Sequence, residues 1–204
     1  DAQESRGLGD VYKRQAWVTA APASDFSAVR EQGIRVVTLD RGYDLDVAEK
    51  APWLLLGAKT LSYAVNMAAL REAHRRGADD AIFLSRDGFV LEAPTASLIL
   101  RFGERFVTPA PNGGILHGTT QLSVYEHLTA RGFVAEYAQV PASDLSRADA
   151  AWLVSSVRLA APITAVDGVE LPVDRALTAE LNEYLLSPRD LSLIHISEPT
   201  RLLS

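Results

Sequence analysis

A lysine in an apolar setting is the residue whose type and position point most directly to chemistry. Residues 16–190 contain only two lysines, Lys50 and Lys59, beside many arginines. Lys59 lies between an apolar run and the opening of an amphipathic helix, in the stretch PWLLLGAKTLSYAV. Burial there would favour the neutral amine, which is the nucleophile that Schiff-base chemistry needs. The alternative is a surface lysine whose stem packs on the protein while its ammonium group reaches water.

A glycine-rich loop, GGILHG, runs directly into a predicted helix that begins at Gly118. Free backbone N–H groups of the first turn, with the hydroxyl groups of Thr119 and Thr120, would face outward at the positive end of the helix dipole. Such a cup holds an anion, and phosphate is its usual occupant. The P-loop pattern GxxxxGK[ST] is absent. The alternative is an ordinary capped helix after a flexible loop.

Two further positions carry groups that would meet a bound molecule. Glu92 ends a predicted strand in FVLEAPTAS, where the apolar approach and the Pro-Thr turn would direct its carboxylate inward. Ser155 and Ser156 close an apolar strand and offer hydroxyl and amide donors. Each position also has a simpler interpretation, namely a strand-end carboxylate in water and serines that solvate a turn.

Alternating helical and strand patterns predict a mixed α/β or α+β domain without internal repeats. The longest helix is expected over residues 60–76, with Leu61 and Val65 on its apolar face and Gly77 as its stop. Ser24 and Asp174 are the expected caps of two other helices. Helices are expected at 25–32, 118–132 and 174–186, and strands at 16–20, 34–39, 80–84, 89–92, 97–102, 105–108, 133–140, 151–155 and 161–166. The expected architecture is a strand-rich sheet or partly closed barrel flanked by helices.

Composition narrows the classes of partner. The 204 residues carry a net charge of −6, with 48% hydrophobic and 23% charged residues. A general nucleic-acid binder would show a basic stripe, and a membrane span needs about 20 apolar residues, so we expect neither nucleic acid nor membrane as a partner. The chain has no cysteine, and the spacing of His74, His117 and His127 matches no metal-binding pattern, so no metal site is expected. Small molecules or proteins are the expected ligands.

The two ends of the chain are related through their coding DNA. Residues 5–15 read SRGLGDVYKRQ, and DNA that encodes them also encodes LSLIHISEPTR in its reverse complement, which is the sequence of residues 191–201. This relation is typical of a sequencing-library adapter read in both orientations. We therefore expect 1–15 and 191–204 to be artefacts of assembly and 16–190 to be a natural segment truncated at both sides.

Four segments, taken in their order, resemble the class-IV aminotransferases, which are pyridoxal-phosphate enzymes of fold type IV. The segments are GAKTLSYAVNMAALREAHRRGADDAIFL, DGFVLEAPTAS, GGILHGTTQ and WLVSSVRLAAPITAVDG, and the resemblance covers essentially all of residues 16–190. It implies that this stretch is the large domain that binds pyridoxal 5'-phosphate, and that the family's smaller N-terminal domain is missing. It further implies a homodimer with the site near the interface, in the cytoplasm.

The resemblance also implies a role for each site residue. Lys59 would be the Schiff-base lysine and catalytic base, Tyr63 would contact the phenolic oxygen of the cofactor, and Glu92 would pair with its pyridine nitrogen. The expected contacts to the phosphate and the substrate carboxylate are Gly118, Thr119, Thr120, Ser156 and Val157. The chain departs from the family where Gln121 replaces an arginine, and where residues 93–97 read APTAS in place of GSTSN.

Three activities are compatible with these residues. The segments PWLLLGAKTLSYAVNMAALREA and LSRDGFVLEAPTAS look most like members that act as aminodeoxychorismate lyase, so the expected reaction releases pyruvate and gives 4-aminobenzoate for folate biosynthesis. A transaminase acting on branched-chain or D-amino acids is the alternative within the family. An alternative of another class is a non-catalytic α/β ligand-binding domain in which Lys59 is a surface residue and 118–120 merely cap a helix.

Overall fold

The structure, a computed structural model, describes residues 18–22, 24–111 and 114–187. The expected artefact segments 1–15 and 191–204 lie outside these residues. The helices are α1 (Ser27–Gln32), α2 (Val47–Lys50), α3 (Ala64–Arg75), α4 (Thr119–Ala130) and α5 (Arg175–Leu186), with 3-10 turns at Pro52–Leu54 and Ala142–Arg147. The strands are β1 (Ile34–Asp40), β2 (Asp80–Leu84), β3 (Ser97–Phe102), β4 (Arg105–Pro109), β5 (Val134–Ala138), β6 (Ala150–Ser155), β7 (Leu159–Val166) and β8 (Val169–Glu170).

The strands form one mixed sheet in the order β2-β1-β7-β6-β3-β4-β5, with β8 paired to β7. Strand β1 runs parallel to both of its neighbours, β2 and β7. The strands β7, β6, β3 and β4 are successively antiparallel, and β5 runs parallel to β4. Two isolated bridges, Leu84 with Val90 and Phe89 with Pro141, join the end of β2 to the segment that follows β5. The sheet therefore curves so far that the end of β2, at one edge, is connected to the segment that follows β5, at the other edge.

Apolar side chains alternate along the strands and separate into an inner and an outer set. The inner set forms one buried cluster with residues from six strands, which include Ile34, Val36, Ile82, Leu98, Leu100, Val107, Leu153 and Ile163. The outer faces of β3, β4 and β6 pack against α4 and α5, with Phe106 and Trp152 at the centre. The indole N–H of Trp152 donates to the Thr178 hydroxyl group at 2.8 Å, which fastens α5 to β6. This arrangement confirms the expected strand-rich sheet flanked by helices.

Several predicted elements match the structure closely. Strand β2 has the predicted bounds, and β3 and β4 form the predicted hairpin around Gly103. Asp174 caps α5, because its carboxylate accepts the Leu177 N–H at 2.9 Å. Gly77, just past the end of α3, has a φ of 77°, the left-handed conformation that ends many helices. Each helix in the described part of the chain falls short of the length and apolarity that a membrane span requires.

Other predictions were wrong for local physical reasons. Residues 18–20 are not in a strand, and residues 16 and 17 lie outside the described part. Ser24 does not cap α1, which begins at Ser27; there the carboxylate of Asp25 accepts the Ser27 N–H at 2.8 Å instead. Helix α3 begins at residue 64, and only Ala69 and Ala73 are buried on it. Leu61 and Val65 are consequently exposed, since only the second half of α3 packs on the sheet.

A buried ion pair lies inside the fold. The Asp80 carboxylate, at the start of β2, is fully buried and lies 2.6 Å from the guanidinium group of Arg158, in the turn between β6 and β7. The other Asp80 oxygen accepts the Ala81 N–H at 2.7 Å. Because a buried charge without its partner is far less stable than a paired one, this contact holds the 155–158 turn against the start of β2.

We expect Asp80→Ala to lower the free energy of unfolding by about 3 kcal/mol, because it leaves the Arg158 guanidinium group largely buried and unpaired. Urea unfolding would measure the loss. The matched control is Asp46→Ala, which breaks an ion pair of the same 2.6 Å length with Lys50 that is exposed to water. The control should lose much less stability. Equal losses in the two variants would contradict a structural role for the buried pair.

Candidate active site

Glu92 is the carboxylate that the fold turns inward. Its backbone is held against β2, because the Phe83 N–H donates to the Glu92 carbonyl at 2.9 Å. Its half-buried side chain accepts the Leu116 N–H on Oε2 at 3.1 Å. Burial raises the pKa of the Glu92 carboxyl group to about 7, while the Leu116 hydrogen bond and the positive charge of Arg41 act in the opposite direction. A carboxyl group in this range can exchange its proton near neutral pH.

The N-terminus of α4 is open to an anion. Gly118 is its N-cap residue and has an extended backbone, and no side chain caps the first turn. The N–H groups of Thr119, Thr120 and Gln121 therefore point toward the space in front of the helix. Gly118 lies so close to β3 that a Cβ atom there would be 2.4 Å from the Ser97 hydroxyl oxygen. An alanine at this position would require the Ser97 hydroxyl group or the helix N-terminus to shift, and the anion cup itself stays a prediction.

The turn that follows β6 lies at the same edge of the sheet as the α4 N-terminus. Ser97 pairs with Val154 in the β3–β6 ladder, and the hydroxyl group of Ser97 lies against Gly118. Ser156 and Val157, which follow directly, are exposed in the turn. The Arg158 N–H donates to the Ser155 hydroxyl group at 3.2 Å and shapes this turn. The structure thus brings the Ser156 region and the Gly118 region together at one edge.

The segment that carries Lys59 and Tyr63 lies beside the loop that leads to α4. A Cβ atom on Gly57 would be 3.0 Å from the Ile115 carbonyl oxygen, so Gly57 and Ile115 are in close contact. Farther along, the side-chain amide of Asn66 donates to the Pro94 carbonyl at 2.6 Å, which ties α3 to the residues after Glu92. Along the chain, Lys59 and Tyr63 lie between these two contacts, at Gly57 and at Asn66.

Lys59 itself is exposed, so the expectation of a buried amine was wrong for this structure. The reason is local, because residues 58–65 are all exposed and no described segment packs over them. Tyr63 is 40% exposed. The catalytic roles of Lys59 and Tyr63 therefore stay predictions. They require that the exposed surface formed by residues 58–65 be covered in the active protein.

Sequence reasoning assigned no role to four groups that line the candidate site. They are the Leu116 amide that bonds Glu92, the Ser97 hydroxyl beside Gly118, the Asn66 amide on α3 and the buried Gln121 on α4. A backbone amide such as that of Leu116 leaves no trace in residue type, and Asn66 has the ordinary look of a polar helix residue. Gln121 stood out in the sequence only as a departure from a family pattern. In the described part of the chain, no three His, Asp or Glu side chains are grouped to hold a metal ion.

The arrangement suits a molecule with an anionic group at one end and a protonated ring nitrogen at the other. The α4 N-terminus, whose first turn no side chain caps, fits a phosphate. The half-buried Glu92 carboxyl group fits a pyridine nitrogen. Pyridoxal phosphate has both groups, so the residues present fit this cofactor.

The fold and the sequence together define the family to which this chain belongs. A family model described as "Amino-transferase class IV" matches residues 4–166. The chain belongs to the class IV aminotransferase family, whose members use pyridoxal phosphate. It is 43% identical over 177 residues to the "Bifunctional aminodeoxychorismate lyase / D-amino acid transaminase" of Mycobacterium tuberculosis, a match that covers 82% of this chain and 61% of that protein.

Two solved structures show the same fold. The fold IV-transaminase CpuTA1 from Curtobacterium pusillum is 58% identical with a TM-score of 0.80, over 82% of this chain and 57% of that one. The PLP-bound form of a hypothetical aminotransferase from Mycobacterium tuberculosis is 41% identical with a TM-score of 0.78, over 83% of this chain and 61% of that one. The chain thus spans less than two thirds of each of these relatives.

We expect Gly118→Ala to weaken pyridoxal-phosphate binding about tenfold, because the added methyl group meets the Ser97 hydroxyl group and displaces the α4 N-terminus. The double variant Gly118→Ala/Ser97→Ala should recover most of the affinity, since it removes the oxygen that clashes. Fluorescence titration with the cofactor measures both. A double variant as weak as Gly118→Ala alone would show that this contact does not set the position of the helix.

Proposed function

We propose that this chain is the cofactor-binding part of a 4-amino-4-deoxychorismate lyase, which releases pyruvate and leaves 4-aminobenzoate. The observation that carries the proposal is the 43% identity to a Mycobacterium tuberculosis protein named for that lyase activity. The inward Glu92 carboxyl group and the open α4 N-terminus support it, because they match the two ends of the cofactor. The non-catalytic alternative explains neither feature.

Each proposed site residue has a distinct task. When bound, pyridoxal phosphate supplies an electron-accepting ring that stabilises negative charge on the substrate carbon bearing the amino group. The Glu92 carboxylate would accept a hydrogen bond from the ring nitrogen and keep it protonated. Lys59 would remove the proton from that substrate carbon, and Tyr63 would hold the phenolic oxygen. The phosphate and carboxylate donors would be Gly118, Thr119, Thr120, Ser156 and Val157.

Transamination of D-amino acids or branched-chain amino acids is the second candidate. It is favoured by the 58% identity to CpuTA1, which is described as a fold IV-transaminase. The name of the Mycobacterium tuberculosis relative joins both activities in one protein. Both reactions begin with loss of the same proton, so the same Lys59, Glu92 and α4 N-terminus would serve either one.

Lys59→Ala should abolish turnover, because it removes the proposed base. The assay follows pyruvate release from 4-amino-4-deoxychorismate and, separately, amino-group transfer from D-alanine or leucine to 2-oxoglutarate. The assay uses the 204-residue protein and, in parallel, the protein encoded by the open reading frame that contains this sequence. The matched control is Lys50→Ala, since Lys50 lies on the surface and pairs with Asp46.

Pyruvate release in proportion to substrate consumed, lost in Lys59→Ala and kept in Lys50→Ala, would support the lyase. Amino transfer without pyruvate release would favour the transaminase. Full activity of Lys59→Ala in both assays would contradict the proposed site.

We also propose that the protein is a cytoplasmic homodimer. The support for the dimer is an apolar surface over residues 53–67, which we call the 53–67 surface. Its exposed side chains include Trp53 (74%), Leu55 (61%), Leu61 (100%) and Val65 (60%). Large exposed apolar patches are typical of protein interfaces. This surface surrounds Lys59, so a second copy packed there would also cover the exposed amine.

The substitution Leu61→Asp should convert the dimer to a monomer, because it places a charge in the 53–67 surface. Light scattering during gel filtration measures the mass. Leu186→Asp is the matched control, since Leu186 is 64% exposed at the end of α5 and should leave the dimer intact. A wild-type protein that is monomeric at micromolar concentration, or a Leu61→Asp variant that stays dimeric, would contradict the proposal.

A further inference from the structure

Glu92 and Gln121 line one small cavity behind the candidate site. Gln121 lies in the first turn of α4 and is only 2% exposed, although its side chain is polar. The cavity has a volume of about 10 Å³, and its walls also include Ser97, His117 and Tyr137. A space of this size holds about one water molecule, provided that two or more polar groups face it.

The side-chain amide of Gln121 has one group paired and one group free. Its Oε1 accepts a hydrogen bond from the Tyr137 hydroxyl group at 3.1 Å, which orients the amide. Its Nε2 is buried and has no hydrogen-bond partner among the described residues. A buried donor without a partner costs about 1–3 kcal/mol. Leucine or methionine would fill the same volume without this cost. We therefore expect the Gln121 amide to have a hydrogen-bond partner in the cavity.

One carboxyl oxygen of Glu92 has no hydrogen-bond donor among the described residues. Within the described part of the chain, the Leu116 N–H is the one hydrogen-bond donor to its carboxyl group, and it reaches Oε2. Glu92 also lines a second small cavity, on its other side, where the charged and titratable groups are Arg41, Tyr43 and Asp44. On the Gln121 side, the titratable groups are His117 and Tyr137. The second oxygen of Glu92 therefore has room for a further donor.

We propose that Gln121 donates through one water molecule to the Glu92 carboxylate, and that this contact holds the carboxylate in the orientation that meets the cofactor ring nitrogen. The inference rests on the proposed function for the use of Glu92. Gln121 is a positioning residue, because it acts through Glu92. It also couples the anion cup to the carboxylate, since Gln121 belongs to the same helical turn that faces the phosphate.

The test measures the titration of Glu92 in the cofactor-free protein by NMR, with the glutamate side-chain carboxyl carbons labelled. Glu92→Gln identifies the resonance. Gln121→Met keeps the volume and removes the donor, so the ionised carboxylate loses a hydrogen bond and the pKa of Glu92 should rise by about one unit from its value of about 7. Gln139→Met, at an exposed glutamine, is the matched control and should leave the titration unchanged.

Thermal unfolding separates this role from packing. Gln121→Met should change the unfolding temperature little, because it loses the hydrogen bonds of the amide but also removes the cost of burying a polar group, and it keeps the volume. A lower unfolding temperature with an unchanged Glu92 titration would show that Gln121 only fills space, and would overturn the inference. Tyr137→Phe, a change at a partly exposed side chain, should move the Glu92 titration in the same direction by a smaller amount. An unchanged Glu92 titration in Tyr137→Phe would likewise count against the inference.

Cofactor affinity distinguishes this inference from the proposed function. Fluorescence titration should show pyridoxal phosphate binding about tenfold more weakly to Gln121→Met than to the wild-type protein. If the wild-type protein binds the cofactor through Lys59 and Gln121→Met changes neither affinity nor titration, the inference fails while the proposed function stands. If Gln121→Met shifts the titration but no variant binds the cofactor, the Gln121–Glu92 contact stands and the proposed function fails.

Discussion

The hydrogen bond from the Leu116 amide to the Glu92 carboxyl group joins the two parts of the candidate site. Glu92 is attached to β2 through its backbone, whereas Leu116 belongs to the segment that leads into α4. A cofactor with a phosphate at one end and a ring nitrogen at the other needs both binding groups at a set separation. Since the same segment carries Leu116 and Gly118, the hydrogen bond that orients the Glu92 carboxylate also helps to fix the position of the α4 N-terminus. The rest of the site is arranged around this connection.

Opposing electrostatic effects meet at this point. The α4 N-terminus favours negative charge, and Arg41 does the same for Glu92, whereas burial favours the neutral acid. Burial is the larger effect, and the pKa of Glu92 rises as a result. A positively charged ring nitrogen placed beside Glu92 would reverse this balance, because an opposite charge at contact distance stabilises the carboxylate. In the proposed function, the candidate site would bind a protonated ring and a phosphate together, with each group balancing part of the other's charge.

The sequence predicted the parts of the site that depend on local pattern. Glu92 was expected to point inward and Gly118 to begin a helix, and the structure has a half-buried Glu92 side chain and Gly118 as the N-cap residue of α4, because each feature follows from its immediate neighbours along the chain. Asp174 was recognised as a cap for the same reason. The errors arose where distant contacts decide the outcome. Leu61 and Val65 have helical spacing, yet α3 buries only its second half, and Lys59 is exposed because nothing in the described chain covers it. The Leu116 amide and the Gln121 cavity depend wholly on how the chain folds back on itself.

The position of β1 in the sheet has a consequence for biosynthesis. This strand lies between β2 and β7, and its pairing with β7 joins residues almost 130 positions apart, such as Ile34 and Ile163. A ribosome adds roughly 5–20 residues per second, so β1 must wait several seconds for its second neighbour. During that time the apolar side chains of Ile34 and Val36 lack their final cover, and the unpaired edge of β1 is open to other chains. Nascent chains of this protein should therefore depend on chaperones until β7 has left the ribosome.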